Sequence, residues 1–181
     1  MICVNIPSSS YTRSSKAPRN HYYIRVFEKE ADGIITCWED YIDHRPTAAD
    51  YTHTQEKCIN ELKKYILKAI EAHDKSEAVN EFTLLGHNGW LHKDERVTIK
   101  SSLVDELAQG RTHTTIFLKQ LPVEIEISAA QEFLQKVEVY AKDCLLRTMT
   151  HIANVNALET PDEILAYDYT TGYPEKVVYS I

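Results

Sequence analysis

Eight histidines among 27 acidic side chains raise the question of metal binding first. His44 follows Asp40 and Asp43, and His53 follows Asp50; a carboxylate three or four residues from an imidazole converges on one ion if the segment is helical. Arg45-Pro46 falls inside this stretch, and a proline after a mixed polar run reads as a loop. A solvated acidic loop is therefore the bland reading, and no metal ligands are assigned. His87 and His92 flank Trp90, an aromatic with two imidazoles that could hold a sugar or a partner; the alternative is a Trp90 that anchors the core between exposed histidines. Glu124 and Glu126 share one strand face and could act as paired carboxylates, although simple alternation makes a wet face the plainer account. Cys3, Cys37, Cys58 and Cys144 are far apart and form no close pair of the kind zinc or redox motifs need, so they read as reduced thiols packed mostly as small hydrophobes. There is no Gly-x-Ser-x-Gly, no phosphate-cradling glycine loop and no cysteine in a protease-like context. Catalytic and cofactor-binding residues are accordingly none. The residue type that stands out is tyrosine, 11 against 4 phenylalanines. Tyr167, Tyr169 and Tyr173 gather around a turn, and such rings suit an interface because the body is apolar while the hydroxyl stays satisfied. With Trp90 they form the candidate interface set.

These residues need elements to position them. Residues 1–20, rich in Ser and basic side chains, read as an extended arm, disordered or ordered by a neighbour. His21 to Phe27 and Ile34 to Trp38 are β-rich runs joined by Ala31-Asp32-Gly33, a hairpin. From about Thr54 to His73 the apolar stripe Cys58, Ile59, Leu62, Ile66, Ala69, Ile70 predicts a one-sided helix. A second short hairpin is expected around Gly86-His87-Asn88-Gly89, with Asn-Gly as its turn. Ser102 is expected to cap a short helix, Leu103 to Gln109, ended by Gly110. A third hairpin pairs Thr114 to Leu118 with Val123 to Ile127. Ser128 with Gln131 reads as the capping box of the longest helix, to about Asn156. Thr160-Pro161-Asp162-Glu163 opens a short helix, and Val177 to Ile181 reads as a last strand. The fold class is α+β: small antiparallel β-hairpins packed against one long and one medium α-helix, with an extended N-terminal arm. The expected organisation is residues 1–20 as arm, 21–73 as a hairpin-plus-helix attachment module, and 74–181 as an α+β domain.

Composition limits the function. The formal net charge of −7 without a Lys/Arg run is a poor match for a phosphate backbone, so no nucleic-acid partner is expected. No stretch approaches 18 uninterrupted apolar residues, so no membrane span is expected. Residues 1–15 lack the apolar core and cleavage site of a signal peptide, which reads as a chain made and folded in a cytoplasm. Only 5 glycines argue against a fibre shaft of β-repeats.

From about Ala72 to Ile181, three fifths of the chain, the sequence resembles an uncharacterised phage and prophage family, domain of unknown function 4376. The matching pieces are Ala78-Val79-Asn80-x-Phe82-Thr83-Leu84, then Gly86-x-x-x-Trp90-Leu91-x-Lys93-Asp94-x-Arg96-Val97, then Thr114-Thr115. Val137-Glu138-Val139-Tyr140-Ala141-x-x-Cys144 follows, and then Ala166-Tyr167-Asp168-Tyr169-Thr170-x-Gly172-Tyr173-Pro174-Glu175-Lys176. Thr98 stands where the family has Gly, and Leu118 to Leu121 also departs from it. The resemblance implies a phage or prophage origin and a tail or fibre context, and carries over no catalytic or binding residue. The expected function is a non-enzymatic structural protein of the virion, made in the host cytoplasm, acting through contacts with other phage structural proteins and as a homo-oligomer. The rival readings are a tail-fibre assembly chaperone absent from the mature particle, and a glycan- or receptor-binding module, which would need a pocket of converging polar side chains.

Overall fold

A computed structural model describes residues 1–180. In chain order the elements are β1 (Ile2–Pro7), β2 (Ser14–Ala17), β3 (His21–Ala31), β4 (Ile34–Ile42), α1 (Ala48–Asp74), β5 (Phe82–Leu84), β6 (His87–Gly89), α2 (Lys93–Ala108), β7 (His113–Leu118), β8 (Leu121–Glu126), α3 (Ile127–Ala157), α4 (Pro161–Ala166) and β9 (Val178–Tyr179). The protein is α+β, with hairpin-built sheets alongside long and medium helices. It divides into two compact units, residues 1–68 with 154–167 and residues 69–153 with those from 168 onward. The predicted division near residue 73 thus falls a little earlier, inside α1, and the first unit also takes a distant segment.

In the first unit a four-stranded antiparallel sheet has the order β1-β4-β3-β2. The predicted hairpin forms its centre, turning on Asp32 (φ 51°) and Gly33 (φ 72°), the left-handed pair that a two-residue turn between right-twisted strands requires. Residues 1–20 are extended, yet neither disordered nor ordered by another subunit: β1 pairs Ile2 to Pro7 against Glu39 to Ile34, and β2 pairs Ser14 to Ala17 against Ile24 to His21. Two strands alone are marginal in water, and the supposed arm supplies the two that flank them. Between Val26 and Lys29, β3 advances three residues while β4 advances two, from Trp38 to Thr36, which makes a β-bulge with Phe27 at φ 53°. Helix α1 presents Thr54, Cys58, Leu62 and Ile66 to this unit, all buried at four-residue spacing. It begins six residues before the predicted start, because Thr47 and Asp50 cap each other: the Thr47 N–H and Oγ1 both donate to Asp50 Oδ2, at 2.8 and 2.6 Å. Val155, Pro161 and Ile164 are the buried residues of the returning segment. Thr160 caps α4 as its sequence predicts, with Glu163 reaching back to the Thr160 N–H at 3.1 Å.

In the second unit β5 pairs antiparallel with β6 and parallel with β9, and β7 with β8 forms a separate hairpin. Phe82, Leu84, Leu103, Leu118, Phe133 and Leu134 make up the middle of one core. Three expectations change here. The β5–β6 turn is Leu85-Gly86, not Asn88-Gly89; Gly89 sits in β6, where a Cβ would stand 3.2 Å from the Leu118 side chain. Helix α2 starts ten residues before the predicted Leu103, at Lys93; its N-cap is His92, whose N–H donates to Glu95 Oε2 at 2.6 Å, and Ser102 lies inside the helix and donates back to the Thr98 carbonyl. Helix α3 follows β8 with no intervening residue, so Ser128 is a helix residue and not its cap. At 31 residues α3 is ~46 Å long.

Candidate functional site

The tyrosine-rich segment folds back on the second unit and is held by three polar contacts. Gly172 (φ 77°) makes the turn; a Cβ there would run into the Arg147 guanidinium. The Thr171 carbonyl accepts from Arg147 Nε at 2.9 Å and from His151 Nε2 at 3.0 Å, which fixes the proton of His151 on Nε2. Thr148 Oγ1 donates to Asp74 Oδ1 at 2.6 Å, so its contact with Tyr173 Oη at 3.0 Å must be one in which Tyr173 donates. The Tyr173 ring meets His73 and His151 at 5.2 and 5.6 Å between centroids, and Tyr169 meets His73 at 5.9 Å. Burial depresses the His151 pKa below the ordinary 6.5 and raises that of Tyr173.

A second cluster surrounds Val79, Tyr140 and Cys144, which are buried together with Trp90, Tyr173 and Val177 packed against them. Tyr140 Oη donates to the Val79 carbonyl at 2.6 Å, and burial, before anything else, raises its pKa and that of Cys144. Trp90 lies edge-on to Tyr140 and under the Arg96 guanidinium, 5.6 Å away. Arg96 is itself buried and donates to Glu138 Oε1 at 2.8 Å and to the Leu91 carbonyl at 2.6 Å. The Arg96 hydrogen bond, with the charges of Arg96 and Lys100, outweighs partial burial and holds Glu138 below the usual carboxylate range. Trp90, Tyr169 and Tyr173 are thus brought to neighbouring places, each half-buried and each already packed within the unit. Tyr167 belongs to the first unit, where its Oη accepts from Asn154 Nδ2 at 3.2 Å.

The other candidates do not converge. His44 places Nδ1 3.1 Å from Asp43 and Nε2 3.2 Å from Asp50, so each ring nitrogen already faces one carboxylate, while Asp40 takes Lys57. Among the described residues no group of three His, Cys, Asp or Glu side chains is placed to share an ion. His92 heads α2 and His87 is an exposed residue of β6. Glu124 and Glu126 are exposed, opposite Thr115 and His113. Cys37, Cys58 and Cys144 are buried thiols and Cys3 is exposed.

What the sequence reading passed over is the outer side of α3. Val139, Leu145, Leu146 and Met149 are 55 to 60% exposed, and Val139 and Tyr140 with Pro174 and Val177 form an open groove of about 410 Å³ between α3 and the C-terminal segment. Lys136 stands at this groove with Asp143 and Glu175. Helix α2 is similar, exposing Val97, Val104 and Leu107. Adjacent apolar pairs such as Leu145-Leu146 carry the trace of this: a helix apolar on more than one side has more to cover than its own core. Among the described residues no helix is long and apolar enough to cross a membrane. Comparison with protein-family models, with curated proteins and with solved structures finds no match.

Proposed function

We propose that this protein is a non-enzymatic structural protein of a bacteriophage or prophage particle, tail- or fibre-associated, working through protein–protein contact. The observation that carries the contact reading is the outward apolar face of α3 in the second unit, where four large apolar side chains stand more than half exposed. Contiguous apolar surface of this kind marks sites of association. The phage context rests on the resemblance of residues 72–181, and symmetric self-association follows the habit of particle components.

Mass spectrometry of density-purified phage particles tests the reading. Stoichiometric recovery of the chain with the particle is the expected result. Its absence from particles, while the lysate contains it, replaces the structural role with that of an assembly chaperone. A paired Leu146→Glu, Met149→Glu variant is expected to fold with unchanged circular dichroism and to fail to enter particles.

A further inference from the structure

The β-bulge of the first unit opens a recess of about 300 Å³ that none of the readings above uses. Four consecutive residues of β3, from Arg25 to Glu28, line it, together with Arg13, Tyr51 and Gln55. A regular strand sends successive side chains to opposite faces; here the register shift between Val26 and Lys29 falls within the stretch that lines the recess. It requires Phe27 to sit at φ 53°, a conformation costing ~1–3 kcal/mol in a bulky residue and concentrated at ligand sites.

The walls are held in place before any ligand arrives. Arg25 is 8% exposed and donates to Glu39 Oε2 at 3.0 Å, to the Thr12 carbonyl at 3.2 Å and to Ser15 Oγ at 2.7 Å. Arg13 donates Nε to Glu28 Oε1 at 3.2 Å and lies over the Tyr51 ring at 5.9 Å, which orients an otherwise exposed side chain with its terminal nitrogens unspoken for by Glu28. Nearby, Tyr11 Oη is buried beside the Glu28 carboxylate; burial first, and then Glu28, raises its pKa. Each guanidinium is already matched by a carboxylate, Arg13 by Glu28 and Arg25 by Glu39 at 2.8 Å. An anion would therefore compete with ligands the arginines have. What remains is a recess in which each cation is matched by a carboxylate, with two aromatic side chains and four planar polar ones, Arg13, Arg25, Glu28 and Gln55, offering donors and acceptors side by side. Its volume lies at the lower end of the ~300–1,000 Å³ typical of small-molecule sites.

We propose that this recess binds a neutral saccharide unit, its C–H surface against Phe27 and Tyr51 and its vicinal hydroxyls on Arg13, Glu28 and Gln55. The binding is independent of the contact face on α3.

The test is titration of the full-length ¹⁵N-labelled protein with glucose, galactose, mannose and N-acetylglucosamine in turn, and with inorganic phosphate and N-acetylneuraminic acid as anionic probes. The expected result is saturable shifts of the Phe27, Glu28, Tyr51 and Gln55 amides with at least one neutral sugar, at a Kd of about 1–10 mM. Two variants separate binding from folding. Gln55→Ala changes an exposed helix residue, and Phe27→Gly suits the left-handed backbone while removing the ring; both should keep the circular dichroism spectrum and weaken the sugar roughly tenfold or more. Absence of shifts at these amides with all four sugars overturns the proposal. So does a response to phosphate or N-acetylneuraminic acid alone, or full sugar binding in both variants.

Discussion

Arg96 shows how much of the second unit hangs on one side chain. Its guanidinium ties α2 to Glu138 of α3 and to the Leu91 carbonyl while covering Trp90. Arg96→Ala is expected to destabilise by about 2–3 kcal/mol, less than for a fully enclosed pair because Glu138 keeps 34% of its side chain in solvent. Arg96→Lys should recover little, since one ammonium cannot address both acceptors in a fork; urea unfolding of the two variants measures both effects. Gly89 acts by having nothing to place. A methyl there meets Leu118 at 3.2 Å in a packed core, so Gly89→Ala should cost about 1–3 kcal/mol with no change in backbone preference. His151 sets a pH dependence. Its folded pKa is depressed by burial, so the unfolded chain binds the proton more readily; this contribution to stability is fully present above about 6.5 and is lost as pH falls through the window below it. His44, raised by Asp43 and Asp50, works in the opposite sense. The difference between the urea midpoints of the wild type and His151→Gln should therefore shift against the wild type as pH is taken from neutral towards ~5, with His44 common to both.

At the level of elements, the turns show where sequence and structure part. Asp32-Gly33 is legible because its residue types suit positive φ, and the hairpin forms where they place it. Lys119-Gln120 adopts the same kind of turn, at φ 46° and 73°, with residues that do not advertise it; pairing of Ile116 and Leu118 with Val123 and Leu121 imposes the turn from outside. Gln120→Gly is accordingly expected to stabilise the protein by about 0.5–1 kcal/mol, readable as a raised Tm. The buried stripe of α1 was readable from spacing, as was the Thr160 cap; in α3 the spacing of three and four joins Phe133, Val137 and Cys144, which are buried, to Leu145 and Met149, which are exposed. The start of α2 was not, because its cap is a histidine backbone and its apolar residues point both ways. The bulge was not either: nothing in Arg25 to Glu28 departs from a good strand, and only the register against β4 shows the extra residue. For the same reason the Tyr-rich segment was found but its packing was not, since Tyr173 is fixed by Thr148 and His73, far off in the chain.

At the level of the whole molecule, the first unit is built from two stretches that are not neighbours in sequence. Ile164 and Val155 are fully buried in it. Ile164→Ala should cost about 2–4 kcal/mol, and hydrogen exchange should accelerate in the amides of β3, β4 and residues 54–66, about a hundred residues earlier in the chain. Acceleration confined to α4 would show that the segment is an appendage and not part of the unit.

That interleaving also sets a timetable. During synthesis residues 1–68 leave the ribosome well before residues 154–167 exist to complete their unit. At ~5–20 residues per second the translation of the stretch between them takes on the order of ten seconds, during which the places of Val155, Pro161 and Ile164 stay unfilled and the nascent unit must be shielded or wait unformed. The second unit waits as well, because β5 needs β9, the last strand to be made. Neither unit can therefore close until synthesis is almost over: the earliest strands of the chain wait for nearly its last residues.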